Sequence, residues 1–159
     1  MQRREALSQV CKLVGSGALA SWGARVGAQS AALSDTRIVL GQSAPFTGAA
    51  VQLGLQFHLG AQAFFDTVNA KGGVNGRTIE IKRLDDGYEP ERCAANTRQF
   101  IADDVFALFG YIGTPTSLAA LPLASTAKLP FFAPFTGAQA LREPFNRYAI
   151  HVRASYFDE

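Results

Sequence analysis

The run "VFALFGYIGTPTSLAALP", residues 105–122, decides the fold. Its first half is apolar throughout, the pattern of a strand covered on both faces. After Gly113 come Thr114, Pro115, Thr116 and Ser117, and then helix-type sequence. A buried strand that passes at once into a helix belongs to architectures with helices on both faces of a sheet. The same turn poses a chemical question. Small hydroxyls and the free N–H groups of a helix start stand together where a central strand ends.

Outward from this run, strand and helix alternate from Thr36 onward. "RIVLGQSA" (37–44) is a short apolar strand. Phe57, Ala61, Phe64 and Val68 then recur at helical spacing. "NAKGGVNG" ends that helix with glycines that tolerate left-handed geometry. "RTIEIKRL" (77–84) alternates Ile79 and Ile81 with Glu80 and Lys82, a half-exposed strand whose charges suit a sheet edge. "DDGYEP" is a loop, and Pro90 suits the first turn of a second helix reaching about Asp103. A third helix spans "PTSLAALPLASTA", with a bend expected at Pro122. "LPFFAPF" is a short strand, "TGAQALRE" a turn of helix, and "RYAIHV" a last strand. The expected fold is α/β, a doubly wound parallel sheet of order 2-1-3-4-5. In such sheets ligands bind beyond the carboxyl ends of the strands, here at "SAPFTG" and "YIGTPTS".

The 159 residues, 48% hydrophobic and 18% charged, suit one domain with a real core. The formal charge of +2 belongs to the first 28 residues, which read as a signal peptide. Arg3, Arg4, Lys12 and Arg25 against Glu5 give that segment +3, leaving the remainder at −1. A near-neutral mature chain gives no support to nucleic-acid binding. Val26-Gly27-Ala28 fits a cleavage site after Ala28, with residues 29–35 as a linker. Arg3-Arg4 resembles a twin-arginine leader, but the residues after the pair fit poorly and ordinary secretion stays open. Cys11 lies in the leader, so Cys93 is the lone cysteine of the mature chain. It shares a helical stripe with Thr97, Phe100 and Ile101 and reads as a buried structural thiol.

Three chemistries compete for the turn at Gly113. A nucleophile at Thr114, Thr116 or Ser117 needs a base. His58 lies off the apolar stripe of its helix and is expected to face solvent, and His151 lies in the last strand. No G-x-S-x-G elbow and no G-x-x-x-x-G-K-[ST] loop occurs. Asp85 and Asp86 are expected to tie their loop through backbone N–H groups, and no cofactor or metal is implied. What remains is anion recognition without catalysis, at a helix N-terminus with threonine donors. Ordinary N-capping by Thr114 stays open beside it.

Taken in order, "NAKGGVNGR", "DDGYEP" and "GTPTS" resemble the periplasmic substrate-binding proteins of ABC transporters of the leucine/isoleucine/valine type, over residues 36–159. The resemblance implies a fold of two α/β lobes closing on a ligand, with residues 36–153 as the first lobe and 154–159 as the start of a crossover. It implies that Thr114, Pro115 and Thr116 seat a ligand's carboxylate. Phe135 would offer its carbonyl to an ammonium, Thr136 a hydroxyl, and Phe46 and Tyr156 the walls. Phe135 stands where amino-acid binders usually carry a small residue, which leaves room for other carboxylates, aromatic or aliphatic. No cysteine stands where the best-known members place a disulfide between the "DDGYEP" loop and the start of "GTPTS". Expected partners are a small amino acid or carboxylate and an inner-membrane ABC permease, in the periplasm. The chain stops where the family enters its second lobe, so an incomplete fragment is expected. A ligand-sensing domain of a regulator is the alternative with the same fold.

Overall fold

The computed structural model describes residues 36–159. The expected signal peptide (1–28), its cleavage site, Cys11 and the linker (29–35) lie outside the described residues.

Five parallel strands form one sheet: β1 (Arg37–Ala44), β2 (Thr78–Asp85), β3 (Ala107–Phe109), β4 (Phe131–Phe132) and β5 (Ala149–Ile150). Their order is β2-β1-β3-β4-β5, as the alternation of strands and helices suggested. β1 pairs with β2 from Arg37↔Thr78 to Ala44↔Asp85 and with β3 through Leu40↔Ala107 and Gly41↔Leu108. β2 is an edge, and its Glu80 and Lys82 point to solvent. The described residues form three helices, α1 (Val51–Ala70), α2 (Pro90–Ala102) and α3 (Thr114–Thr126), followed by a 3-10 turn at Gln139–Leu141. Pro90 opens α2 at its first helical position, where a missing N–H costs nothing. α3 continues through Pro122 to Thr126.

The main core lies between the sheet and α2 and α3. It joins Cys93, Phe100, Leu108, Tyr111, Ala120, Leu121, Ala124 and Phe131. Gly41 lets the Phe100 ring lie on β1, since a β-carbon there would stand 2.7 Å from Phe100 Cγ. Full burial of such a ring contributes about 2–3 kcal/mol. On the other face, Phe57 and Phe65 of α1 pack on Phe109, with ring centroids 5.9 and 5.5 Å away. Gly110, at φ +60°, turns the chain so that Tyr111 faces α2 although Phe109 faces α1.

Two expectations for α1 are overturned. Phe64 is 66% exposed, and Phe65 takes its place against the sheet. His58 does not face solvent. It is buried, with Nδ1 2.8 Å from Gln42 Oε1. The inward face is Gly54, Phe57, His58, Ala61, Phe65 and Val68, so the expected stripe keeps Phe57, Ala61 and Val68 and only Phe64 gives way to its neighbour. Gly54 is where α1 meets the β1 loop, so closely that a β-carbon would stand 2.8 Å from Pro45 C.

Candidate ligand site

The turns after β1, β3 and β4 converge at the carboxyl edge of the sheet. Ile112 bridges to Phe135, and Phe135 N donates to Tyr111 O at 2.7 Å. This brings the turn after β3 against the turn after β4. There Thr114 Oγ1 lies 2.7 Å from Thr136 Oγ1, which lies 3.2 Å from the Tyr156 hydroxyl and accepts from Ala138 N at 3.2 Å. Three hydroxyls from three separate segments thus form one hydrogen-bonded chain at the start of α3.

Thr114 does not cap α3. Gly113, at φ +96° and ψ 156°, is the cap residue, no side chain bonds the helix start, and Thr114 is the first helical residue. Its hydroxyl is turned toward Thr136. Pro115 is exposed beside it, whereas Thr116 is fully buried and donates back to Ile112 O at 2.5 Å and Gly113 O at 3.1 Å. Thr116 therefore ties the turn shut, and its hydroxyl is committed to the backbone. The Phe135 carbonyl accepts from Gly113 N at 3.4 Å, so one of its lone pairs is already occupied.

Phe46 sits in another group. Its ring meets His58 edge-on at 5.7 Å and carries the Arg83 guanidinium 5.3 Å from its centroid. The loop bearing it is held by Asp85, whose Oδ1 accepts from Phe46 N (2.8 Å), Thr47 N (3.1 Å) and Gly87 N (3.0 Å). Asp85 Oδ2 accepts from Thr47 Oγ1 (2.6 Å) and Arg92 (2.7 Å). Partial burial pushes this carboxyl up, but the bonds from Thr47, Phe46, Gly87 and Arg92 outweigh it and hold Asp85 well below the usual range. Asp86, fully buried, accepts from Ser43 Oγ at 2.7 Å and Tyr88 N at 2.8 Å. Burial raises its pKa against those bonds, with Asp85 adding to the rise. Both aspartates are loop ties, as their sequence context suggested.

Behind the turn, α2 clamps it. Cys93 Sγ donates to Thr116 O at 3.4 Å, and Thr97 Oγ1 lies 3.1 Å from the Tyr111 hydroxyl. Burial is the main cause that pushes the Cys93 thiol up to about 12, so it is a structural thiol and not a nucleophile.

Two residues packed on these turns were not marked in the sequence. Tyr88, from the β2 loop, lays its ring on Gly113: a β-carbon there would stand 2.6 Å from Tyr88 Cζ. Arg153 holds its guanidinium 5.1 Å from the Phe135 ring centroid and 5.3 Å from that of Tyr156. Glycine at 113 was the available signal for the first, since a positive-φ glycine marks close approach. Nothing local marked Arg153. The Tyr156 hydroxyl is held below its ordinary value by its bond to Thr136, then by the Gly137 backbone, Thr114 and the Arg153 charge.

A family model described as "Periplasmic binding protein" matches residues 37–159. The Leu/Ile/Val-binding protein homolog 3 of Brucella melitensis is 33% identical over 94 residues, 59% of this chain and 25% of that one. A possible leucine/isoleucine/valine-binding protein from Rhodopirellula baltica superposes with a TM-score of 0.72 at 40% identity, over 76% of this chain and 32% of that one. A fatty acid ABC transporter substrate-binding protein from Thermomonospora curvata superposes at 0.71 and 27% identity, over 78% and 31%. The chain therefore spans between a quarter and a third of the length of these relatives. The family's members bind solutes rather than transform them. With a family model matching residues 37–159 and a 2-1-3-4-5 sheet that superposes on solved members, the chain belongs to the periplasmic binding protein family.

Proposed function

We propose that residues 36–153 are the first ligand-binding lobe of an exported solute-binding component of an ABC-type uptake system, taking an amino acid or related small carboxylate. The observation that carries this reading is the chain Thr114–Thr136–Tyr156, which sets three hydroxyls at the N-terminal end of α3. Oriented hydroxyl donors at a helix start suit a carboxylate, and among the described residues none beside them supplies a base. Thr114, Thr136 and Tyr156 hold the anion, with Pro115 and Phe135 shaping the seat. Thr116 braces the turn from below, and Phe46 lines the neighbouring turn after β1. Relatives described as leucine/isoleucine/valine-binding and as fatty acid substrate-binding support a carboxylate-bearing ligand, in the periplasm and delivered to a membrane permease.

One lobe buries only one side of a ligand, so binding should be weak, in the millimolar range. Amide shift mapping with leucine and with simple carboxylates tests the reading. Shifts centred on Thr114, Thr136 and Tyr156, removed by Thr114→Val, are the expected result. Shifts elsewhere, or micromolar binding of leucine to this lobe, would refute it.

A further inference from the structure

Arg153 is built into the site more firmly than a surface arginine needs to be. Its guanidinium stacks on both Phe135 and Tyr156. Arg142 Nη2 donates to the carbonyls of Arg153 (2.8 Å) and Ala154 (2.9 Å), fixing the backbone that carries it. Tyr156 N donates to Gly137 O at 2.9 Å, and a β-carbon at Gly137 would stand 2.6 Å from Tyr156 Cδ1. The segment 153–156 is therefore held at one end by Arg142, just past the 3-10 turn, and at the other by Gly137 in the turn after β4. Arg153 already holds a carboxylate: Nε donates to Glu159 Oε1 at 2.6 Å and Nη2 to Glu159 Oε2 at 2.8 Å. This is the fork geometry by which a guanidinium recognises a planar acid.

The surroundings suit an acid better than a zwitterion. The Phe135 carbonyl, the acceptor an ammonium would seek, already shares one lone pair with Gly113 N at 3.4 Å, which leaves it a single open acceptor position. A fixed positive charge lies over the ring of that same residue. An ammonium placed there meets a like charge, whereas a carboxylate meets a bidentate donor.

We infer that Arg153 recognises the ligand's carboxylate by exchange with Glu159, so that the site selects organic acid anions lacking an ammonium over amino acids. This rests on the hydroxyl cluster being the ligand seat. Glu159 is the internal competitor: its carboxylate occupies the fork until a ligand displaces it. The aromatic faces keep the guanidinium in place during the exchange.

The test compares leucine with 4-methylpentanoate, its analogue without the amino group, by titration of the isotope-labelled chain and its variants. The analogue should bind at least about fivefold more tightly than leucine. It should also shift the Arg153 Nε–Hε resonance, whereas leucine should not. Glu159→Gln should strengthen binding of the analogue, and Arg153→Gln should abolish the preference. Arg153→Lys keeps the charge but loses the fork, and should recover little of it. Equal or tighter binding of leucine, or an undiminished preference in Arg153→Gln, overturns the inference. If Thr114→Val removes binding of the analogue while Arg153→Gln leaves it intact, the seat stands and the role of Arg153 fails. Absence of shifts at Thr114, Thr136 and Tyr156 with either compound refutes both.

Discussion

Tyr88 lies on Gly113 so closely that a β-carbon on the glycine would stand 2.6 Å from both Cζ and the hydroxyl oxygen of the ring. The contact joins the loop after β2 to the turn after β3 across the top of the sheet. Gly113 also sits at φ +96°, a conformation that side chains resist. Gly113→Ala should therefore destabilise the chain by about 2–3 kcal/mol, through backbone strain and displacement of Tyr88 together. Urea unfolding measures it. In the Tyr88→Ala background the same substitution should cost measurably less, because the clash is gone and only the strain remains.

Asp85 holds the β1 loop with bonds to Phe46, Thr47 and Gly87 and pairs with Arg92. Its folded pKa is depressed below the ordinary value of 3.8. A depressed carboxylate contributes stability that is complete above its unfolded pKa and is lost as pH falls through the folded one. Asp85→Asn should cost about 2 kcal/mol at pH 7, the scale of hydrogen bonds to a charged group. The gap between variant and parent should close only at pH values below the ordinary aspartate range. A gap independent of pH down to strong acid would show that the charge does not matter.

His58 is buried, with its ring against Gln42. Burial lowers its pKa below 6.5, and the nearby Arg83 charge lowers it further. The unfolded chain therefore binds the proton more readily, and stability should decline as pH drops below about 6.5. Above that value the contribution is complete. His151 is also lowered, by burial and by Arg142 against its bond to Leu141 O, so the comparison must isolate one ring. His58→Gln should remove part of the decline between neutral and mildly acidic pH, and His151→Gln a separate part. Identical pH profiles in parent and His58→Gln would count against a lowered pKa at this ring.

Phe64 is exposed on α1, its ring tilted against that of its neighbour Phe65, and Leu59 is exposed on the same helix. Val152, Phe145 and Phe157 add further exposed apolar surface. The chain as it stands should self-associate at raised concentration. Phe64→Glu should reduce association in sedimentation velocity while changing unfolding free energy by less than about 0.5 kcal/mol. A large loss of stability would mean that Phe64 packs in a way the exposed ring does not show.

The sequence by itself determined the sheet. Apolar runs for β1 and β3, alternating charges on β2 and glycine-rich breaks carry strand order and edge, because burial on one or two faces writes itself into local periodicity. It also marked the loop-tying role of Asp85 and Asp86 through the chemistry of turns. Only the tertiary structure decided whether Phe64 or Phe65 turns inward. Both fit a helical stripe, and it is Phe65 that packs on Phe109. It also decided the burial of His58 against Gln42. The Tyr88–Gly113 contact and the stacking of Arg153 on Phe135 and Tyr156 were likewise decided by segments far apart in the chain. A side chain's local pattern records how deeply it is buried, but its partner depends on where the rest of the chain arrives.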